Sequence, residues 1–130
     1  MDRLWLGLGA ATGFLSVALG AMGAHALKAR LEQGLMEPKH LENYEVGVRY
    51  AAIHGLALIL IAALSDRYPA KPLNAAGGLF TLGLVLFSGS LVAYGLTGIK
   101  KLGMITPFGG LAFMAGWVAL IWAAAQKTPA

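Results

Sequence analysis

Four long apolar stretches, each closed by a short run of charge, set the pattern of this chain. The first is free of charge from Leu4 to Leu27, roughly 36 Å of helix, enough to cross a hydrocarbon core with some tilt. The second covers residues 46–64 if Arg49 snorkels toward the surface. The third covers 73–96 and the fourth 104–125. The pattern predicts an all-α polytopic membrane protein, a four-helix transmembrane bundle forming one integral membrane domain over residues 1–130.

The connection between the first two spans has structure of its own. Leu27, Leu31 and Leu35 recur every four residues beside charged positions, which predicts a short amphipathic helix lying at the interface after the first span, weakened by Gly34. Pro38 fits the first turn of the next helix, where its missing N–H is no loss. Leu41, Tyr44 and Val48 continue as a stripe, so the second helix is expected to begin near Pro38, outside the bilayer. The other two connections, 65–72 and 97–103, are short and rich in proline or glycine.

Composition agrees with this reading. Hydrophobic residues make up 58% of the chain and charged residues 12%, about half the share usual in soluble domains. Mean hydropathy is +0.68. The net charge of +4 does not point to nucleic acid, because the basic residues flank apolar runs, where they meet lipid headgroups and set orientation. The lipid bilayer is therefore the first expected partner. Without cysteine there is no disulfide, thiolate metal site or thiol nucleophile. A secretory signal is not expected either. Ala24-His25-Ala26 resembles a cleavage site, but the apolar run is too long and Met-Asp-Arg is hardly basic.

An even number of spans puts both termini on one side. Arg3, Arg67, Lys71 and Lys127 lie there, against Lys28, Arg30, Lys39, Arg49, Lys100 and Lys101 opposite. Six against four leans toward cytoplasmic first and third loops and non-cytoplasmic termini. Trp5, Tyr68 and Trp122 are expected at one interface, and Tyr44, Tyr50 and Tyr94 toward the other.

Small residues mark helix contacts in lipid, since association there relies on close backbone approach. Gly9 with Gly13, Gly20 with Ala24, Gly89 with Ala93 and Ala112 with Gly116 have the required spacing. Ala115, Ala119 and Ala123 extend the pattern in the fourth helix, with Trp117 and Trp122 expected elsewhere on its circumference.

Polar side chains within the spans are where function is sought. His25, Tyr50, His54, Ser88, Ser90 and Thr106 all belong to the half of the bilayer next to the first and third loops, and form a candidate polar cluster. Three readings are open. His25 and His54 lock helices together through neutral hydrogen bonds; the cluster lines a cleft for a lipid headgroup, quinone or partner; or the two histidines hold a metal or haem. Two histidines without a third ligand are thin support for a metal, so no cofactor is expected. Catalysis is not expected either, because no Asp or Glu in any span is available to orient a histidine beside Ser88 or Ser90. The same absence weighs against a proton-coupled antiporter. His40 is expected to be a solvated loop residue. His25 is expected to turn inward, within hydrogen-bond or one-water reach of the Tyr50/His54 face or of the third and fourth helix ends.

Four motifs, GAMGAHALK at 20–28, YAAIHGLAL at 50–58, LFSGSLVAYGLTG at 86–98 and GMITPFGGLAFMAGW at 103–117, resemble the domain-of-unknown-function 423 family. These are small bacterial membrane proteins related to the animal transmembrane protein 256. Gly55 and Val92 depart from the pattern, which more often has alanine and an aromatic residue there. The resemblance implies a multi-span protein of a bacterial inner membrane or its equivalent, and it implies no activity. The function expected from the residues is association, as a homo-oligomer or as a subunit of a larger membrane complex. A carrier or binding protein for a small molecule, lipid or ion is the rival.

Overall fold

A computed structural model describes residues 2–126, and those residues form four long helices without a strand. They are α1 (Asp2–Glu32), α2 (Pro38–Leu64), α3 (Ala70–Thr97) and α4 (Lys100–Ala125), each long and apolar enough to cross a membrane. At 31 residues α1 is about 46 Å long, well beyond a hydrocarbon core of about 30 Å, so its charged end projects into the interface. Lys127, one of the basic residues counted for orientation, lies outside the described residues.

Helix ends follow their sequence signals. The segment Lys28–Glu32 continues α1 instead of lying apart as a separate interfacial helix. No breaker precedes it, and a π turn at Gly23–Leu27 carries the chain through. Gly34 then ends the helix outright. It takes φ 75°, its N–H reaches the Leu31 carbonyl, and the Leu35 N–H reaches the Arg30 carbonyl at 2.9 Å. That paired closure needs a left-handed residue, which glycine supplies without strain. Pro38 opens α2, and Gly98, also left-handed, closes α3.

In cross-section α2 and α3 form the central pair, with α1 along α2 and α4 along α3. One core cluster near the termini gathers Trp5, Leu58, Ile61, Phe80 and Phe113, and a second, near the first loop, centres on Leu27, Leu41 and Tyr44. Glycine faces aromatic rings or backbone across these contacts. A methyl on Gly9 would come within 2.6 Å of the Gly55 carbonyl oxygen, and one on Gly109 would overlap the Phe87 backbone nitrogen. Gly23 and Gly95 make room for the fully buried Tyr44. Gly13, expected beside Gly9 at a contact, faces open space.

Two residues expected in aromatic belts turn inward instead. Trp5 donates its indole N–H to the Asn74 side chain at 2.9 Å, and the Tyr44 hydroxyl donates to the Leu19 carbonyl at 2.5 Å. Each ring carries a hydrogen-bonding tip that finds a partner inside the bundle, which fixes its direction.

Candidate functional site

Tyr50 and His54 stand one turn apart on α2, and Phe113 and Trp117 one turn apart on α4. The two pairs face each other. The His54 ring lies flat on Phe113, with centroids 3.6 Å apart and planes 9° apart, and the Phe80 edge meets it at 5.2 Å. Its Nδ1 lies 2.8 Å from the Tyr50 carbonyl oxygen, and Trp117 Nε1 lies 3.1 Å from its Nε2. A carbonyl only accepts and an indole N–H only donates. The proton therefore sits on Nδ1, Nε2 carries the lone pair, and the ring is neutral. A neutral tautomer with both nitrogens engaged is what a histidine inside a hydrocarbon slab requires.

Outside this ring stack a lateral cleft of about 540 Å³ opens between α2 and α4, lined by Tyr50, Phe87, Gly110, Phe113 and Trp117 with His54 at its floor. Tyr50 itself is exposed and rests its ring on Phe87 at 4.9 Å.

The other predicted residues divide among separate places. Ser90 and Thr106 meet hydroxyl to hydroxyl at 2.5 Å, joining α3 to α4, and the Ser90 hydroxyl also caps the Phe87 carbonyl at 2.9 Å. Ser88 is buried elsewhere on α3, and its hydroxyl has no hydrogen-bond partner. His25 corrects the expectation made for it. It is exposed, on the far side of α1 from the bundle. The helical phase explains why. Gly23 and Leu27 are the buried positions, shaped around Tyr44, and two residues of helix turn a side chain about 200° away. His25 therefore joins neither His54 nor any polar residue named with it. Among the described residues no three His, Asp or Glu side chains gather at one point.

His40 also differs from expectation. It lies in the first turn of α2, half-buried, with its ring edge-on to Tyr94 at 5.4 Å and its Nε2 3.7 Å from Glu37 Oε2. Sequence reasoning missed Trp117, Trp5, Asn74 and Tyr44 as the bonding partners between helices. The available signal was chemical: an indole or phenol tip in an apolar span needs an acceptor.

Each outer helix is thus tied to both central ones by a side-chain hydrogen bond: Tyr44 to Leu19, Trp5 to Asn74, Trp117 to His54 and Ser90 to Thr106. The family described as Protein of unknown function (DUF423) matches residues 19–110, a stretch holding two of these four ties entire, Tyr44 to Leu19 and Ser90 to Thr106, and one end of each of the others, Asn74 and His54. The chain belongs to the DUF423 family. Relatives cover nearly its whole length. A UPF0382 membrane protein of Staphylococcus haemolyticus is 44% identical over 92% of this chain and 93% of its own. The UPF0382 membrane protein YwdK of Bacillus subtilis is 39% identical over 95% and 98%, and a Staphylococcus aureus relative of the same description is 41% identical over 92% and 93%. No solved structure matches the chain. This member of DUF423 is accordingly a membrane protein, and its bacterial relatives carry that description too.

Proposed function

We propose that the protein is non-catalytic and works by helix association in the membrane, offering the outer face of α1 to a second copy of itself. One observation carries this reading. Gly7, Ala11, Phe14, Ala18, Ala21 and His25 are all exposed and follow one another at steps of four, three, four, three and four residues. This is the seam that lets two helices cross at a shallow angle. The face lies opposite the Trp5, Gly9, Ser16 and Gly23 side that packs into the bundle. The outer face of α4 provides the contrast. It presents Phe108, Leu111, Val118 and Ile121, bulky side chains suited to lipid tails. Small residues facing lipid on α1 leave backbone accessible for another helix, and His25 supplies a polar group at the interfacial end of the same seam.

Replacing Ala11 and Ala18 together by leucine should shift the detergent-solubilised protein toward monomer in light scattering, while leaving helix content unchanged. A wild-type protein that is strictly monomeric at membrane-like concentration would refute the reading. As part of the same proposal, the termini face away from the cytoplasm of a bacterial inner membrane. The support is the six basic residues of the first and third loops and their flanks. A C-terminal reporter active only in the cytoplasm should stay dark, and a bright one would reverse the orientation.

A further inference from the structure

Helix α3 ends at Thr97, and the last turn leaves acceptors without donors. The Gly98 N–H takes the Tyr94 carbonyl, while no backbone N–H among the described residues reaches the carbonyls of Gly95, Leu96 or Thr97. All three residues line a pocket of about 340 Å³ at the first loop. Arg30 at the end of α1 and Glu37 and His40 at the start of α2 complete it. The Glu37 side chain is 74% exposed, so its carboxylate is within reach of a ligand, and the His40 ring lies 3.7 Å behind it. Lys39 turns away to Glu42 at 3.9 Å, and no carboxylate among the described residues pairs with Arg30. The pocket thus offers one unpaired cation and a group of acceptors, set at the negative end of the α3 dipole.

Below this pocket an apolar crevice of about 430 Å³ runs between α1 and α3, and Leu96 borders both. Leu8, Leu15 and Leu19 form its α1 wall, and the fully buried Leu58 of α2 closes the bottom. On α3 the chain leaves a π turn at Leu84–Gly89, and Gly89 and Ala93 then keep the wall low up to Leu96. From Leu84 to Leu96 that wall is about 18 Å long, against about 15 Å for the hydrocarbon depth of one leaflet.

An apolar crevice by itself would accept any chain, but the pocket above it selects a head. Arg30 suits a phosphate. A carboxylate and three carbonyls suit a primary ammonium, which carries three N–H donors. A choline head has no N–H to give them. A glycerol head brings negative charge beside Glu37 with no cation to offset it. We infer that pocket and crevice together hold one amine-headed phospholipid of the leaflet next to the first loop. Its phosphate meets Arg30, its ammonium meets Glu37 and the α3 carbonyls, and an acyl chain lies between α1 and α3. The site stands apart from self-association through α1, since it uses different residues of that helix.

The test titrates the full chain, in a non-ionic detergent, with phosphatidylethanolamine, phosphatidylcholine and phosphatidylglycerol of identical acyl chains, and native mass spectrometry counts the bound lipid. One phosphatidylethanolamine should bind about three- to tenfold more tightly than either of the others, the range for a net gain in hydrogen bonding. Glu37→Gln should bring phosphatidylethanolamine down to the level of phosphatidylcholine, and Arg30→Gln should weaken both alike. Ala93→Phe, which fills the crevice under the pocket, should weaken all three lipids. Glycerophosphoethanolamine, the same head without chains, should not compete. Equal binding of the three lipids, a preference for phosphatidylglycerol, or selectivity that survives Glu37→Gln would overturn the inference. So would unchanged binding in Arg30→Gln or Ala93→Phe, and competition by the chain-free head would show that the crevice holds no chain.

Discussion

Trp117 on α4 donates its indole N–H to Nε2 of His54 on α2 across 3.1 Å, while His54 Nδ1 donates to the Tyr50 carbonyl. This makes the histidine in the middle of the bundle a structural tie with no nitrogen left for a proton or a metal. The interaction should appear in a double-mutant cycle. Trp117→Phe and His54→Phe each leave one polar group unpaired within the membrane span and should destabilise the bundle by about 1–2 kcal/mol. The double variant removes both groups and should lose less than the sum, with a coupling of roughly 0.6–1.7 kcal/mol, the range for interhelical hydrogen bonds in membranes. Steric-trapping measurements in bicelles report these differences, and additive losses would mean that the bond is not formed.

The tautomer can be observed directly. In nitrogen-15 spectra of the reconstituted protein at neutral pH, one histidine should have a protonated Nδ1 and a bare Nε2. His54→Gln should remove that pair of signals. Loss of a different pair, or a doubly protonated ring at that site, would contradict the assignment.

Glycines that look alike in the sequence should respond in opposite ways. Gly109→Ala places a methyl on the Phe87 backbone and should cost several kcal/mol, or prevent folding, because backbone does not yield. Gly13→Ala places one in open space on a helix and should be neutral or stabilising by up to about 1 kcal/mol. Thermal unfolding in one detergent compares the two.

The four apolar helices and the start of the second near Pro38 were legible because they depend on local quantities: the length of uncharged runs, the proline signal and the proline and glycine of the connections. The direction of His25 was not. α1 is apolar all round, so no polar stripe marks its outer side, and the inward position at that level is set by Tyr44 fitting against Gly23 from another helix. The polar cluster failed as a unit for a related reason. Depth along the membrane can be read from sequence, but azimuth cannot, and Ser88, Ser90 and His54 share a depth range while facing different neighbours. The π turn at Leu84–Gly89 has no signature in the residues that form it.

Ser88→Ala should stabilise the protein. It deletes a buried hydroxyl that has no partner, so the unfavourable desolvation of that group disappears, a gain of about 1 kcal/mol. A rise in melting temperature measured in detergent is expected. A fall would show that the hydroxyl holds the bundle together through a contact this structure does not contain.

Association through α1 is tested most directly by disulfide trapping, for which the cysteine-free sequence is suited. Single cysteines placed at Ala11 and Ala18 on the outer seam of α1, and at Val118 and Ile121 on the outer face of α4, are oxidised in native membranes and resolved without reductant. Association through α1 should give disulfide-linked dimers from the two α1 positions and little from the two α4 positions. Dimers from α4 but not α1, or equal trapping from both faces, would contradict it.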